Sequence, residues 1–408
     1  MDHHSRQKSH GENRKEEEEG EVEAVIIGGM VLDIQATSSI PPNPRTTSPG
    51  KVCYAVGGVA RNIAECVSKL GTKPCMISTL GLDMAGNLLL EYWKSAGLST
   101  EGIRMGQEID TPVVCIVFDT YGEPAAAVAS VESVERFLTP KWIAQFKSNI
   151  ASTPIVMVDA NLSPAALQAS CELAAEFGTP VWFEPVSVAK SRRIVSVAKY
   201  ITFASPNEDE LIAMANALSC KDAFSPIQKD NSTTSSLFLQ LRPAIWILLE
   251  KGIKVVVLTL GSKGVLLCSK GRLNFHHTGP KRNNRSHEFS KKLHETINLH
   301  CPSDRFFSAL RLEGSSSSSS PYVVHFPAVS SASVVRVTGA GDCLVGGAVA
   351  SICAGLDVMQ SIAVGIAAAK AAVEAETNVP TEYSLEQIAE DARSVYLGAD
   401  VVFCRSSL

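Results

Sequence analysis

The chain has 408 residues, 45% hydrophobic and 19% charged, with a formal net charge of −5. That apolar content supplies a large core, in one big domain or a domain with a smaller attachment. No basic surplus is left to neutralise a nucleic-acid backbone, which excludes nucleic acid as the main partner.

The first 21 residues, MDHHSRQKSHGENRKEEEEGE, are hydrophilic and charged; they read as a disordered tail and not as a secretory signal. The apolar run AVIIGGMVLD, 24–33, predicts the first strand. After a Pro/Ser/Thr-rich loop, AVGGVARNIAECVSKLG predicts a glycine turn entering a helix. Val59, Ile63, Val67 and Leu70 recur at helical spacing there, and Gly71 is placed to stop it. PCMISTLG reads as strand and AGNLLLEYWKSAG as helix. PVVCIVFD, a turn at Tyr121-Gly122-Glu123 and AAAVASV read as a hairpin.

Strands and helices then alternate through PIVMVD, PAALQASCELAAEFG, PVWFEP, YITFASPN, EDELIAMANAL, AIWILLEKG and KVVVLTLG. That order predicts an α/β fold with a mainly parallel sheet covered on both faces. The hairpin and the stretch from Asp33 to Lys51 break the alternation and predict a small β sheet over one edge. Residues 221–236 and 271–320 read as polar insertions. The second contains the basic run KRNNRSHEFSKK, read as a solvated loop, and a polyserine tract expected to be disordered. The Ala/Gly-rich run 343–375 is broken by Asp357, Gln360 and Lys370, which fits two packed buried helices and no membrane span. Eleven cysteines, an odd number with no CxxC pair, fit a reducing compartment without disulfides.

No P-loop and no strand-linked GxGxxG occurs, so four other constellations carry the chemistry. Gly57, Gly58 and Asn62 offer a bare backbone and a two-way hydrogen-bonding amide; an ordinary glycine turn is the alternative. Asp33 ends the first strand, where α/β sheets place ligand contacts, or is a loop carboxylate. Asn207 and Glu210 share a helix face suited to hydrated magnesium, or begin a helix with acids in its first turn. Thr259, Gly261 and Gly264 end a strand where a nucleotide could lie, or form a hairpin turn. Besides these, VTGAGDCLVGG sets Gly339, Ala340, Gly341 and Asp342 at the mouth of an apolar helix. Bare N–H groups there suit a phosphate, and an N-cap aspartate is the plain alternative.

In this order and spacing, AVGGVARNIAECVSKLGTKPCMISTLG, NEDE, TLGSKG and VTGAGD resemble the ribokinase-like (PfkB) family of sugar and nucleoside kinases, over residues 22–400. The resemblance implies a three-layer α/β/α fold with a β lid from 33–52 and 108–131. It implies Asp342 as general base, and Gly339, Ala340 and Gly341 as an anion hole. Asp33, Gly57, Gly58, Asn62 and the lid's Thr111 would bind substrate. Thr259, Gly261, Gly264 and Asn378 would bind nucleotide, with Asn378 near the adenine. ATP and Mg2+, the latter on Asn207 and Glu210, are the implied cofactors.

Arg336 stands where relatives carry an aspartate that helps hold a monovalent cation, so potassium (K+) binding would rest on backbone carbonyls alone. Within the family, VTGAGD and the stretch FEPVSVAK (183–190) look like pseudouridine kinases more than fructokinases or adenosine kinases. The implied reaction is 5′-phosphorylation of pseudouridine. Another nucleoside or sugar, such as ribose, fructose, adenosine or inosine, is one alternative, and a non-catalytic scaffold is another. The expected partner is the small-molecule substrate, with a homodimer formed through the lid. The C-terminal Ser406-Ser407-Leu408 resembles the peroxisomal address SKL, with a plain chain end as the alternative. Peroxisomal import is therefore the expectation, and otherwise a cytoplasmic location.

Overall fold

Strand residues of alternate parity supply two separate cores on the two faces of one sheet. The structure, a computed structural model, describes residues 23–41, 45–120, 124–219, 223–227, 233–270, 288–303 and 321–402. Its strands are β1 (Ala24–Ile27), β2 (Val31–Ser38), β3 (Gly50–Gly57), β4 (Pro74–Gly81), β5 (Ile103–Gly106), β6 (Val113–Phe118) and β7 (Pro124–Ser130). They continue as β8 (Val156–Asp159), β9 (Val181–Glu184), β10 (Phe203–Ala204), β11 (Val255–Thr259), β12 (Val265–Lys270), β13 (Pro321–Phe326) and β14 (Asp400–Val401). The longer helices are α1 (Val59–Lys69), α2 (Met84–Ser95), α3 (Pro164–Glu176), α4 (Glu208–Ser219) and α5 (Thr234–Glu250). They end with α6 (Glu288–His300), α7 (Ala340–Cys353), α8 (Val358–Val373) and α9 (Leu385–Gly398).

The main sheet runs β14-β13-β12-β11-β10-β9-β8-β1-β4-β5, parallel from β5 to β11 and antiparallel across β12, β13 and β14. Ile26, Met157, Trp182, Phe203, Val255 and Val257 point to the face covered by α1, α7, α8 and α9. Val25, Ile27, Val156, Val158, Phe183 and Val256 point to the other, covered by α3, α4 and α5. Period-two alternation of apolar residues on both faces is what a parallel sheet buried between helices requires. β1 is followed by β4 on one side and flanked by β8 on the other, so the chain reverses its direction of travel at β1. Ligands of open α/β sheets bind at such a switch point, beyond the carboxyl ends of the strands.

A second sheet, β3-β2-β6-β7, is the expected small β layer. Strands β6 and β7 pair antiparallel as the hairpin reading requires, while its turn at Tyr121-Gly122-Glu123 lies outside the described residues, as does the charged tail 1–21. Residues 108–112 of the expected lid lie outside the second sheet, with Ile109 and Thr111 buried beneath. The strand predicted over 24–33 is two strands in two sheets. The break falls at Gly28 and Gly29, because a side chain on Gly28 would stand 2.3 Å from the Asp159 carboxylate, so the chain leaves the main sheet there.

The polar stretches also differ from expectation. Residues 234–236 open α5 instead of extending a loop, with Thr233 capping at Ser236 N–H. Within 271–320, residues 288–300 form α6, whose Leu293 and Ile297 enter the main core. The side-chain amide of Gln360 holds its end, donating to Asn298 Oδ1 (2.8 Å) and to the Cys301 carbonyl (2.7 Å). The polyserine tract lies outside the described residues. Gln360 also closes the capping box of α8 with Asp357, and Lys370 pairs with Asp391 at 3.0 Å. The polar residues that interrupt 343–375 thus all have partners, and among the described residues no helix is long and apolar enough to cross a membrane.

α7 and α8 touch almost backbone to backbone, since a Cβ on Gly347 would lie 2.9 Å from Gly365 Cα, and one on Gly365 2.5 Å from the Leu344 carbonyl oxygen. Gly365→Ala gains up to about 1 kcal/mol of helix propensity but must push a backbone carbonyl aside, an overpacking cost of about 1–3 kcal/mol. The net expectation is a lower midpoint in thermal unfolding; a midpoint at or above the parent's would show that the two helices are not packed this closely.

Candidate active site

The sequence from Gly339 to Asp342 makes the first turn of α7. Gly339 caps it in the left-handed region (φ 87°), and a side chain there would strike the Asn378 carbonyl oxygen at 2.2 Å. Ala340 N–H turns back to the Val337 carbonyl (3.3 Å), while Cys343 N–H begins the helical ladder on Gly339. The donors left facing outward are those of Gly341 and Asp342, at the positive end of the helix. A Cβ on Gly341 would meet nothing within 4 Å, so the space over those donors is open. Free N–H groups at the positive end of a helix suit an anion.

Asp342 accepts a 2.6 Å hydrogen bond from Asn62 Nδ2. Loss of water around the carboxyl pushes its pKa up to about 7, against the pull of Asn62 and Arg61 and with repulsion from Asp159 and Asp33. A carboxylate poised near neutrality, beside helix-end donors, suits a general base. Asn62 therefore spends its amide on protein: Nδ2 on Asp342, and Oδ1 on the Arg61 guanidinium. Its second N–H and the second lone pair of Oδ1 remain for the sugar hydroxyl expected there.

Asp33 lies over Gly57, where a Cβ would stand 2.2 Å from its Oδ2. Desolvation raises its pKa, while Arg61, Arg336 and the Asn378 amide act to lower it. Gly58 (φ 95°) lets the chain pass against Gly29 and Met30 on its way into α1. Asn378, expected near the adenine, donates through Nδ2 to the Val56 carbonyl (3.1 Å), and its buried Oδ1 has no partner. Arg336 donates to the Glu376 carbonyl (2.7 Å). The guanidinium thus brings a fixed positive charge to the loop that follows α8.

Thr111 serves the fold beneath the lid. It is buried, its hydroxyl accepts from Gly81 N–H (2.9 Å), and its own N–H donates to Asp83, the N-cap of α2. Thr259 ends β11 against Pro206 and bridges to Asn207. Gly261 (φ 56°) faces open space, whereas a side chain on Gly264 would strike the Phe326 carbonyl at 2.0 Å. Of these two glycines, only Gly261 offers its surface to a ligand.

Asn207 and Glu210 form a reciprocal cap on α4: Glu210 N–H donates to Asn207 Oδ1 (2.9 Å), and Asn207 N–H to Glu210 Oε2 (3.0 Å). One carboxylate oxygen of Glu210 and the amide nitrogen of Asn207 remain for a ligand. Burial raises the Glu210 pKa.

Two acids escape the sequence reading as site residues. Glu184, at the end of β9, has its pKa raised well above the usual range, first by desolvation and then by the charges of Glu210 and Asp342. It receives the Ser205 hydroxyl, and Val186 just beyond it holds φ 66°, a strained value for a β-branched residue. Asp159, at the end of β8, is wholly buried and accepts from Gly29 N–H (3.0 Å) and Asn161. The signal for both is position: each ends a parallel strand near the switch point. Asn161 in turn accepts from Lys190 Nζ (2.5 Å).

Glu210 keeps one carboxylate oxygen beyond its bond to Asn207 N–H, an oxygen donor that a hydrated cation could use. Among the described residues no cluster of three such groups could hold a bare metal ion. The donor set fits instead a hard divalent cation that keeps its waters and shares phosphate oxygens, as magnesium does.

The described geometry has counterparts. The model of the pfkB family of carbohydrate kinases matches residues 22–286 and 312–381. A protein of Arabidopsis thaliana named pseudouridine kinase is 52% identical over 389 residues, covering 95% of this chain and 100% of that one. Mouse ribokinase is 22% identical over 255 residues, 62% of this chain and 73% of its own. Among solved structures, Arabidopsis thaliana ribokinase complexed with ribose and ATP superposes with a TM-score of 0.65 at 17% identity, covering 91% of this chain and 99% of that one. On the family match over most of its length and on this full-length relative, the chain belongs to the pfkB family of carbohydrate kinases.

Proposed function

We propose that this chain transfers the γ-phosphoryl group of ATP to the 5′-hydroxyl of pseudouridine, giving pseudouridine 5′-phosphate and ADP. The observation that carries the chemistry is Asp342: a carboxylate with a pKa of about 7, held by Asn62 beside the open N–H donors of Gly341 and Asp342. The substrate reading rests on 52% identity along the whole length of a relative named pseudouridine kinase.

Asp342 accepts the proton of the primary hydroxyl as the new O–P bond forms and the bond from the bridging oxygen to the γ-phosphorus breaks. The helix-end donors receive the charge that spreads over the transferring group's outer oxygens. Asp33 and the unpartnered Oδ1 of Asn378 are the acceptors we assign to the sugar's other hydroxyls. The open surface at Gly261 is assigned to the nucleotide. Magnesium, held through water by Asn207 and Glu210, would supply charge neutralisation on the phosphates. Arg336 places its charge by the loop where a monovalent ion would otherwise be bound, and we expect turnover without added potassium.

Asp342→Asn keeps the shape and the bond from Asn62 only with a flipped amide, and removes the base. Turnover should fall about a hundred- to ten-thousand-fold, while MgATP binding by titration calorimetry stays near the parent's. Retained turnover would remove Asp342 from its role. A base must be unprotonated, so kcat should rise with pH through the region near 7 and level off above it; a flat profile across that region contradicts the assignment.

ADP release should be strong with pseudouridine and weak with uridine, adenosine, ribose and fructose. Preference for a free sugar would keep the mechanism and discard the substrate. No turnover on the whole panel would favour a scaffold role.

We also propose peroxisomal import through Ser406-Ser407-Leu408, which lie outside the described residues. A fluorescent fusion ending in this tripeptide should be punctate with peroxisomal markers and diffuse once Leu408 is deleted. An unchanged distribution would dismiss the signal.

A further inference from the structure

α1 carries a buried charge network that the transfer chemistry described above does not call for. Arg61 is 1% exposed and Glu65 2%. The Arg61 guanidinium pairs with Glu65 Oε2, donates to the Val56 carbonyl (3.0 Å) and donates to Asn62 Oδ1. Glu65 Oε1 also receives Lys69 Nζ (2.5 Å) and the hydroxyl of Tyr92 from α2 (2.7 Å). Lys69 is anchored in turn on the Pro380 carbonyl (2.7 Å).

As a stability device this is a poor choice. Burying an ion pair loses about as much hydration as it recovers in attraction, and apolar side chains of similar volume commonly do as well or better. The Nε of Arg61 is moreover buried with no partner. The chemistry of the guanidinium explains what it does for its neighbour. It only donates, so it can pair with nothing but the oxygen of the Asn62 amide at its side. That settles which way the amide faces: Oδ1 to Arg61, and Nδ2 to Asp342. A flipped amide would turn its oxygen on the Asp342 carboxylate, acceptor against acceptor.

We propose that Arg61, locked by Glu65, is a positioning residue that fixes the Asn62 amide so that it donates to Asp342. The inference rests on the reading of Asp342 as the base. Asp342 is faced by Arg61 and Asn62 from α1, by Asp33 from β2, by Asp159 from the end of β8 and by Glu184 from the end of β9. Asp159 and Asp33 push its proton on, and Arg61 is the one cation among these groups that pulls it off. Arg61 itself faces Glu65 and Lys69 on its own helix, Tyr92 on α2 and Asp33 on β2.

Four variants test this: Arg61→Gln, Arg61→Lys, Glu65→Gln and Asn62→Ala, each assayed for kcat against pH at saturating MgATP. Losing Arg61 should move the acid limb up by about one pH unit and so lower kcat at pH 7 by about fivefold, with recovery toward the parent rate at high pH. KM for MgATP should stay unchanged. Arg61→Lys should recover part of the limb but not all, because one ammonium cannot hold Glu65, Val56 and Asn62 at once. The losses of Arg61→Gln and Asn62→Ala should not multiply in the double variant, since one acts through the other.

Where Arg61→Gln proves insoluble, Glu65→Gln loosens the same guanidinium and should move the limb in the same direction. An acid limb left at the parent's pH, or losses that multiply, would overturn the positioning role even if Asp342→Asn is dead. Active Asp342→Asn would instead bring down the base itself.

Discussion

One hydrogen bond, from Asn62 on α1 to Asp342 on α7, joins turns 280 residues apart in the chain, and the site is arranged around it. Both helices begin at glycines, and both begin where β1 and its neighbours end. The bond is possible only because the two helix starts converge on the switch point of the sheet. On the other side of α7, backbone contact with α8 through Gly347 and Gly365 holds its axis. The apolar content of 343–375 thus has a mechanical effect: a helix whose first turn carries Asp342 is clamped along the rest of its length.

That arrangement works against stability. Asp342, Glu184, Glu210 and Asp159 all have pKa values raised chiefly by desolvation. A carboxyl raised in the folded state binds a proton that the unfolded chain releases. The fold therefore loses stability as pH climbs from the unfolded value of 3.8 to the folded value of about 7 at Asp342. Acids that stabilise a fold show the opposite sign. A cluster that destabilises its own protein at neutral pH is kept for what it binds or moves, and both roles that relieve it, a proton acceptor and a cation site, are those of a phosphotransferase.

The sequence is most legible where one residue type admits one job. Gly341 followed by Asp342 at a helix mouth, and apolar runs alternating with helices, need no long-range knowledge. It is least legible where a residue has two uses and contact decides. Asn207 and Glu210 read as metal ligands, and each also gives one oxygen to capping α4. Thr111 reads as a lid residue and instead ties Gly81 to the α2 cap. Asn378 lies in the loop after α8, where no neighbouring residue marks its place, yet its carbonyl lies against Gly339. The first apolar run gives no sign that Gly28 will split it, because the obstacle, Asp159, comes from a strand far along the chain. α6 is hidden because its apolar residues, Leu293 and Ile297, are few and set among charges.

The glycines show why a motif alone underdetermines a site. Gly339, Gly57 and Gly264 are closed off by protein: a Cβ would meet the Asn378 carbonyl, the Asp33 carboxylate and the Phe326 carbonyl respectively. Gly341 and Gly261 have nothing within 4 Å. The first group lets the protein approach itself, and the second leaves room for something else. The two members of the second lie one on α7 and one just beyond β11. A phosphate donor reaching from Gly261 to Gly341 would end with its transferable group over the helix-end donors and beside Asp342, which is the order the transfer requires.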